Sequence, residues 1–261
     1  MAMFVPLLLL LVLPTSCCAF SVIVPSSSTS SLLLAHDTPA ALSEPTDSNF
    51  GRKDYWNEFY ADSSKDDSTA TTPFSWYSEW HDLAPFVQEL IPDFSASILI
   101  PGVGNDSMLR DMYDAGYQQL TAFDYAEIGV LCAMKLLQDR PVKVIVADAR
   151  DLIAFADDEF HAILEKGTLD AIYLSGGKNK TVGATNLQMA VSELARVTKP
   201  GGIVISLTAA CVDAVSAALE KELLGRGCWT CVRDGSFYMT EEDGYASNNI
   251  DGTFLAWRRN E

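Results

Sequence analysis

The chain has 261 residues, 48% of them hydrophobic, enough to bury one large core with an appendage. Its 18 basic and 35 acidic residues leave a net charge of −17, which repels phosphate backbones and argues against nucleic acid as a partner. The same balance suits a basic protein or cationic ligand, and it also suits a surface that is merely soluble.

Residues 1–20 read as a signal-like leader. Residues 4–14 form an apolar block, too short to span a bilayer as a helix and of the length of a signal-peptide core. Ser16 and Ala19 are small enough to serve a signal peptidase, but no Lys or Arg precedes Arg52. Residues 21–50 are rich in Ser and Thr and read as disordered. Leader, Ala19-Phe20 and hydroxyl-rich tail together resemble the bipartite plastid presequence of algae with complex plastids, although the tail lacks that pattern's basic residues. Secretion competes with the plastid as a destination, and a silent leader would leave the chain cytoplasmic. No membrane attachment is expected after leader removal.

Residues 51–95 read as a helical cap. Arg52 to Tyr60 forms a short helix with Tyr55, Trp56, Phe59 and Tyr60 clustered. A polar loop follows, and Phe74, Trp76, Tyr77 and Trp80 open a second helix that Pro92 ends. These aromatics either pack on a sheet or cover a ligand and exclude water.

From residue 96 to 261, strands and helices alternate. Ile98-Leu99-Ile100 is a doubly covered strand that breaks into Pro101-Gly102-Val103-Gly104-Asn105 before a helix to Ala115. Glycines there let main chain approach a ligand, and the helix start offers unpaired N–H groups. Leu120 to Asp124 is a second strand, its acid 20 positions after Gly104. An acid at that strand tip accepts from ribose hydroxyls in nucleoside-binding folds. A third strand, Val142 to Ala147, ends at Asp148, and a fourth, Phe160 to Leu164, runs into Glu165-Lys166-Gly167. Ser175 to Thr185 reads as a loop, Asn186 to Val197 as a helix and Ile203 to Thr208 as the fifth strand. A helix from Val212 to Leu224 precedes two closing strands, Cys228 to Met239 and Gly252 to Arg258. The expected fold is α/β: a Rossmann-like, seven-stranded, mostly parallel sheet with helices on both faces and an antiparallel terminal hairpin. Six cysteines make no disulfide framework, and the lone Cys228-x-x-Cys231 has no second half for a zinc site, so no metal is expected.

The nucleoside ligand is a dinucleotide or S-adenosylmethionine. A dinucleotide fingerprint wants a third glycine where this chain has Ser107, and the closing hairpin has no place in the dinucleotide fold. With Lys199-Pro200-Gly201-Gly202 before the fifth strand, the chain resembles class I S-adenosylmethionine-dependent methyltransferases. Tyr55-Trp56, Tyr60, Trp76-Tyr77, the glycine loop, Asp124-Tyr125 and Glu165-Lys166-Gly167-Thr168-Leu169-Asp170-Ala171 narrow the likeness. They resemble the methyltransferase-like group that includes the lysine methyltransferases of translation elongation factor 1-alpha. Pro101 departs from that group's pattern.

The resemblance implies S-adenosylmethionine as cofactor and assigns it residues. Gly102 and Gly104 approach its methionine part. Asp124 takes the ribose hydroxyls and Tyr125 packs on adenine. Asp148 and Ala149 read the adenine edge. Trp56, Tyr60, Trp76 and Lys166 complete the contact set. Glu165 and Asp170 are the candidate catalytic carboxylates, Glu165 facing the substrate. The leading expectation is methylation of a lysine on a protein, such as a basic elongation factor. The alternatives are a small-molecule acceptor and a non-catalytic module that binds the cofactor. The Asn/Asp-Pro-Pro-Tyr signature of base-directed amino methyltransferases is absent after the fourth strand.

Overall fold

The structure is a computed structural model that describes residues 48–62, 71–236 and 252–261. The signal-like leader and nearly all of the Ser/Thr-rich segment lie outside the described residues. Ser48 to Phe50, at the end of that segment, are ordered. The Ser48 hydroxyl accepts from Phe50 N and starts a 3₁₀ turn over Asn49–Gly51. No helix among the described residues is long and apolar enough to cross a membrane.

Helix α1 (Lys53–Asp62) and helix α2 (Trp80–Leu90) precede the first strand. The second helix starts later than its aromatics predict. Phe74, Trp76 and Tyr77 lie outside it, in a segment tied to the glycine loop by Phe74 N donating to Asn105 O at 3.1 Å. Strand β1 (Ile98–Pro101) is followed by α3 (Met108–Asp114), β2 (Leu120–Asp124), α4 (Glu127–Leu137) and β3 (Lys143–Val146). Strand β4 (Phe160–Lys166) leads at once into α5 (Thr168–Leu174), and α6 (Lys180–Val197) precedes β5 (Thr198–Thr208). Helix α7 (Val212–Leu219) runs on into a π turn, and β6 (Trp229–Ser236) and β7 (Thr253–Arg259) close the chain.

The strand order is β3-β2-β1-β4-β5-β7-β6. Strands β1 to β5 are parallel, and β7 enters antiparallel between β5 and β6. The expected seven-stranded, mostly parallel Rossmann-like sheet is therefore present. Its hairpin places the last strand inward and the sixth at the edge.

Alternation along the strands builds two cores. Ile98, Ile100, Leu120, Ala122 and Leu164 point to one face, where Leu83, Phe86, Met112 and Leu137 of α2, α3 and α4 cover them. Leu99, Phe123, Ile163 and Val204 point to the other, under Leu187, Leu194, Val215 and Leu219 of α6 and α7. Each fully buried side chain of this size contributes roughly 1.5–3 kcal/mol. A third cluster joins Trp56 and Tyr60 of α1 to Ala126 at the start of α4 and Cys132 within it.

Strand order reverses between β1 and β4, and there the carboxyl ends of two parallel strands part into a crevice. The glycine loop leaves β1 and Lys166-Gly167 leaves β4 at that point. Thr168 Oγ1 donates to Pro101 O at 3.0 Å and bridges the two strand ends.

The predicted loop from Ser175 to Thr185 is mostly helix. Gly176 and Gly183 let the turn after α5 and the start of α6 touch, since a Cβ on Gly176 would lie 2.3 Å from Gly183 N. The Asn179 side chain accepts from Thr181 N and Val182 N and caps α6. The Gly, Lys and Asn content that suggests a loop is capping and close-packing chemistry. Asn179→Ala should lower stability by about 1 kcal/mol in chemical denaturation, the usual worth of such a cap. An unchanged midpoint would show that α6 does not depend on it.

Candidate active site

The crevice between β1 and β4 is lined by the glycine loop, by Tyr60, by Phe74 and Trp76, and by Lys166. Gly102 and Gly104 have φ values of 64° and 49°, a region that favours glycine. A Cβ on Gly102 would meet Thr168 Oγ1 at 2.1 Å, and one on Gly104 would meet Tyr60 Oη at 2.4 Å. The two glycines thus let Thr168 and Tyr60 close directly onto the loop.

Lys166 is the junction of the site. Its side chain is 4% exposed, and its Nζ lies 2.6 Å from Asp106 Oδ2. It also donates to the Trp76 carbonyl at 2.6 Å. The other oxygen of Asp106 accepts from Ser75 Oγ at 2.6 Å and from Met108 N at 2.8 Å. One carboxylate therefore ties the aromatic segment, the strand end and the start of α3. An ammonium has three donors, so one N–H remains beyond these two bonds. The Trp76 indole N–H is buried and has no hydrogen-bond partner.

Tyr60 lies over the glycine loop and beside Asp124. Burial first, and then the Asp124 charge, push its phenol well above the usual range. Trp56 stacks on it at 5.7 Å between ring centroids and meets Trp76 edge to face at 5.9 Å. The Trp56 indole N–H is occupied by Phe50 O at 2.6 Å, so the 3₁₀ turn anchors the cap. Helix α1 is also tied to α4. Asn57 Oδ1 accepts from Ile128 N at 3.2 Å, and Lys53 Nζ pairs with Glu127 at 2.6 Å.

Asp124 is buried beneath this cap. Its two oxygens accept from Gly104 N and Ala126 N, each at 2.9 Å. Burial raises its carboxyl to about 6 despite those donors. Tyr125 is half-buried, its hydroxyl raised by burial and then by Asp124. Asp148 accepts from Arg150 N and forms an ion pair with the Arg150 guanidinium at 2.5 Å. Burial works to raise the Asp148 carboxyl, but Arg150 outweighs it and holds the group below its ordinary value. Ala149 is buried beside it.

Glu165 and Asp170 do not face the crevice. Glu165 is 0% exposed, one oxygen accepting from Ser206 Oγ and the other from Thr168 N and Leu169 N at 3.0 and 3.2 Å. It caps α5 from below. Asp170 is 2% exposed and accepts four donors: Thr208 Oγ1, Cys211 N, Ala209 N and Tyr77 Oη. A carboxylate with every lone pair engaged has none for a substrate amine. Glu165, expected to face the substrate, is instead enclosed by Ser206, Thr168 and Leu169. Sequence reasoning also missed Asp106, Ser75 and Asn57. The run Asn105-Asp106-Ser107 ahead of a helix is a capping signature that could have marked Asp106.

The match to known proteins fits this geometry. The family model described as a methyltransferase domain matches residues 99–206. The eEF1A lysine and N-terminal methyltransferase homolog of Drosophila pseudoobscura pseudoobscura is 31% identical over 162 residues, which is 60% of this chain and 22% of that protein. EEF1A lysine methyltransferase 4 of Mus musculus is 29% identical over 182 residues, 66% of this chain and 68% of its own. The chain spans about a fifth of the first relatives it matches, with shares of 22%, 18% and 23%. Among solved structures, the [4+2]-cyclase SpnF shares the fold with a TM-score of 0.55 at 17% identity, over 80% of this chain and 94% of its own. A SAM-dependent methyltransferase from Methanosarcina mazei has a TM-score of 0.50 at 14% identity, over 67% of this chain and 97% of its own.

Burial raises Glu165 to about 8 from an ordinary 4.5, with its bonds to Ser206, Leu169 and Thr168 opposing the rise. A carboxyl raised on folding contributes stability below its unfolded value and loses it as pH climbs through the folded one. Wild type should therefore lose melting temperature relative to Glu165→Gln as pH rises from 4.5 to about 8. A constant gap between the two proteins across that window would contradict the burial of a titrating group. By domain match over residues 99–206 and by fold, the chain is similar to methyltransferases, and its sequence resembles the group of elongation factor 1-alpha lysine methyltransferases.

Proposed function

We propose that the chain is an S-adenosylmethionine-dependent methyltransferase that methylates a lysine on a protein, such as a basic translation elongation factor. The observation that carries the cofactor assignment is a pair of spare donors on two residues that line one cleft. The Trp76 indole N–H has no partner, and Lys166 has a third N–H beyond its two bonds. Both line the cleft over the glycine loop. Two donors beside the Gly102 main chain suit the carboxylate of an amino-acid moiety. Asp124, Tyr125, Asp148 and Ala149 stand at the neighbouring strand tips, in the order that a nucleoside needs.

When bound, S-adenosylmethionine supplies an electrophilic methyl on a sulfonium. The protein has to align that methyl with the acceptor and exclude water. Trp56, Tyr60, Phe74 and Trp76 supply the apolar cover, and Gly102 and Gly104 the close approach of main chain. The acceptor amine attacks through its lone pair and must arrive without its proton. The carboxylates of the β4–α5 block are sealed below the floor, and Asp106 is held by Lys166. The chain's residues accordingly orient the amine, and its proton leaves to solvent before transfer.

Support for a protein acceptor comes from the relatives, whose names specify lysines of eEF1A. The net charge of −17 suits a basic acceptor surface. The purified chain should transfer labelled methyl from the cofactor to a protein band in lysate. Label that enters only small molecules would favour the second acceptor class. Trp76→Phe should weaken cofactor affinity roughly tenfold, the loss of one charge-assisted hydrogen bond. Unchanged affinity would remove Trp76 from the site.

A further inference from the structure

Tyr77 is the most constrained residue in the aromatic segment, and nothing in the proposed chemistry uses it. It has a φ of 64°, in the region that favours glycine. Ser78 N donates back to Trp76 O at 2.7 Å, so Tyr77 sits at the centre of a three-residue turn. Such turns on residues with side chains are strained and persist only where their surroundings hold them. Here three contacts do so. The Trp76 carbonyl also accepts from Lys166 Nζ at 2.6 Å. The Tyr77 ring fills the space beside Gly167, where a Cβ would lie 2.9 Å from Cε2. The Tyr77 hydroxyl donates to Asp170 Oδ2 at 3.0 Å.

Asp170 has no freedom of its own. It joins Thr208 at the end of β5 to Ala209 N and Cys211 N in the turn that leads to α7. The tyrosine hydroxyl is thus anchored to the sheet, not to another mobile side chain. Trp76 precedes it by one residue, and its indole meets Tyr77 edge to face at 6.4 Å between centroids. A turn that relaxed toward ordinary backbone would rotate the Trp76 peptide, and with it the indole.

We propose that Tyr77 is a positioning residue: its hydrogen bond to Asp170 locks the strained turn that sets Trp76 in the lining of the cleft. Tyr77 is not among the residues that line the cleft. Asp170 acts at one remove further, as the fixed post to which the turn is fastened. This gives the buried carboxylate of the Glu165-to-Asp170 block a task that does not require it to reach substrate.

The proposal rests on the reading of the cleft as an S-adenosylmethionine site. It is tested by a double-mutant cycle on the full chain, with S-adenosylhomocysteine as the probe in calorimetry and melting temperature measured alongside. Tyr77→Phe keeps the ring against Gly167 and deletes only the hydroxyl. Tyr77→Phe and Trp76→Phe should each weaken binding roughly tenfold. The double variant should bind about as weakly as Trp76→Phe alone, because the hydroxyl acts through the indole. Losses that multiply to roughly a hundredfold would overturn the proposal, since the two residues would then act independently. So would a Tyr77→Phe protein that melts lower but binds as wild type does, which is what a purely structural role produces. Failure of wild type to bind the probe would instead defeat the cofactor reading, and this proposal with it.

Discussion

The ion pair between Lys166 and Asp106 is the constraint on which the rest of the site depends. Both groups are largely out of solvent, with side-chain exposures of 4% and 12%. Removing one member of such a pair leaves an uncompensated charge and costs about 3–5 kcal/mol. The remaining hydrogen bonds share that burden: Asp106 also accepts from Ser75 and Met108, and Lys166 also donates to Trp76 O. Three pieces of chain that are far apart in sequence therefore meet at one point. They are the cap segment, the glycine loop and the end of β4. The sheet's topology brings the last two together at its switch point, and the ion pair brings in the first.

From this follows a division of labour among the acids. Carboxylates at a methyl-transfer site invite assignment as bases, but burial decides otherwise here. Glu165 caps α5 and is raised to about 8, first by burial. Asp170 is raised by burial too, while Thr208, Ala209, Tyr77 and Cys211 donate to it and oppose the rise. Asp124 holds the glycine loop through Gly104 N and the start of α4 through Ala126 N. These groups shape the floor of the cleft. The aromatic rings above make its roof, and Asn57 and Lys53 fasten that roof to α4.

Much of this was legible in the residues. Strand β2 matches its sequence reading from Leu120 to Asp124, a mostly buried apolar run with its acid at the tip. The glycine loop and the acid 20 positions on are joined by a hydrogen bond from Gly104 N to Asp124. Two things were not legible. Helix α5 hides in a motif whose glycine, at φ 76°, looks like a loop signal but serves as the cap position of the helix. The distant partners of Glu165, Asp170 and Lys166 lie 38 to 93 residues away, set by sheet register and cap closure. Local pattern carries no record of such partners. Motif chemistry therefore located the block, and the contacts of its acids came only with the fold.

The central claim is that Lys166 serves both the cap and the ligand. It is tested most directly by the affinity for S-adenosylhomocysteine of a Lys166→Met, Asp106→Asn double variant, compared with Lys166→Met alone. Removing the stranded charge should restore most of the melting temperature that the single variant loses, while affinity stays as weak as in the single variant. Recovery of affinity together with stability would contradict the claim, because it would leave Lys166 as a structural partner of Asp106 and nothing more.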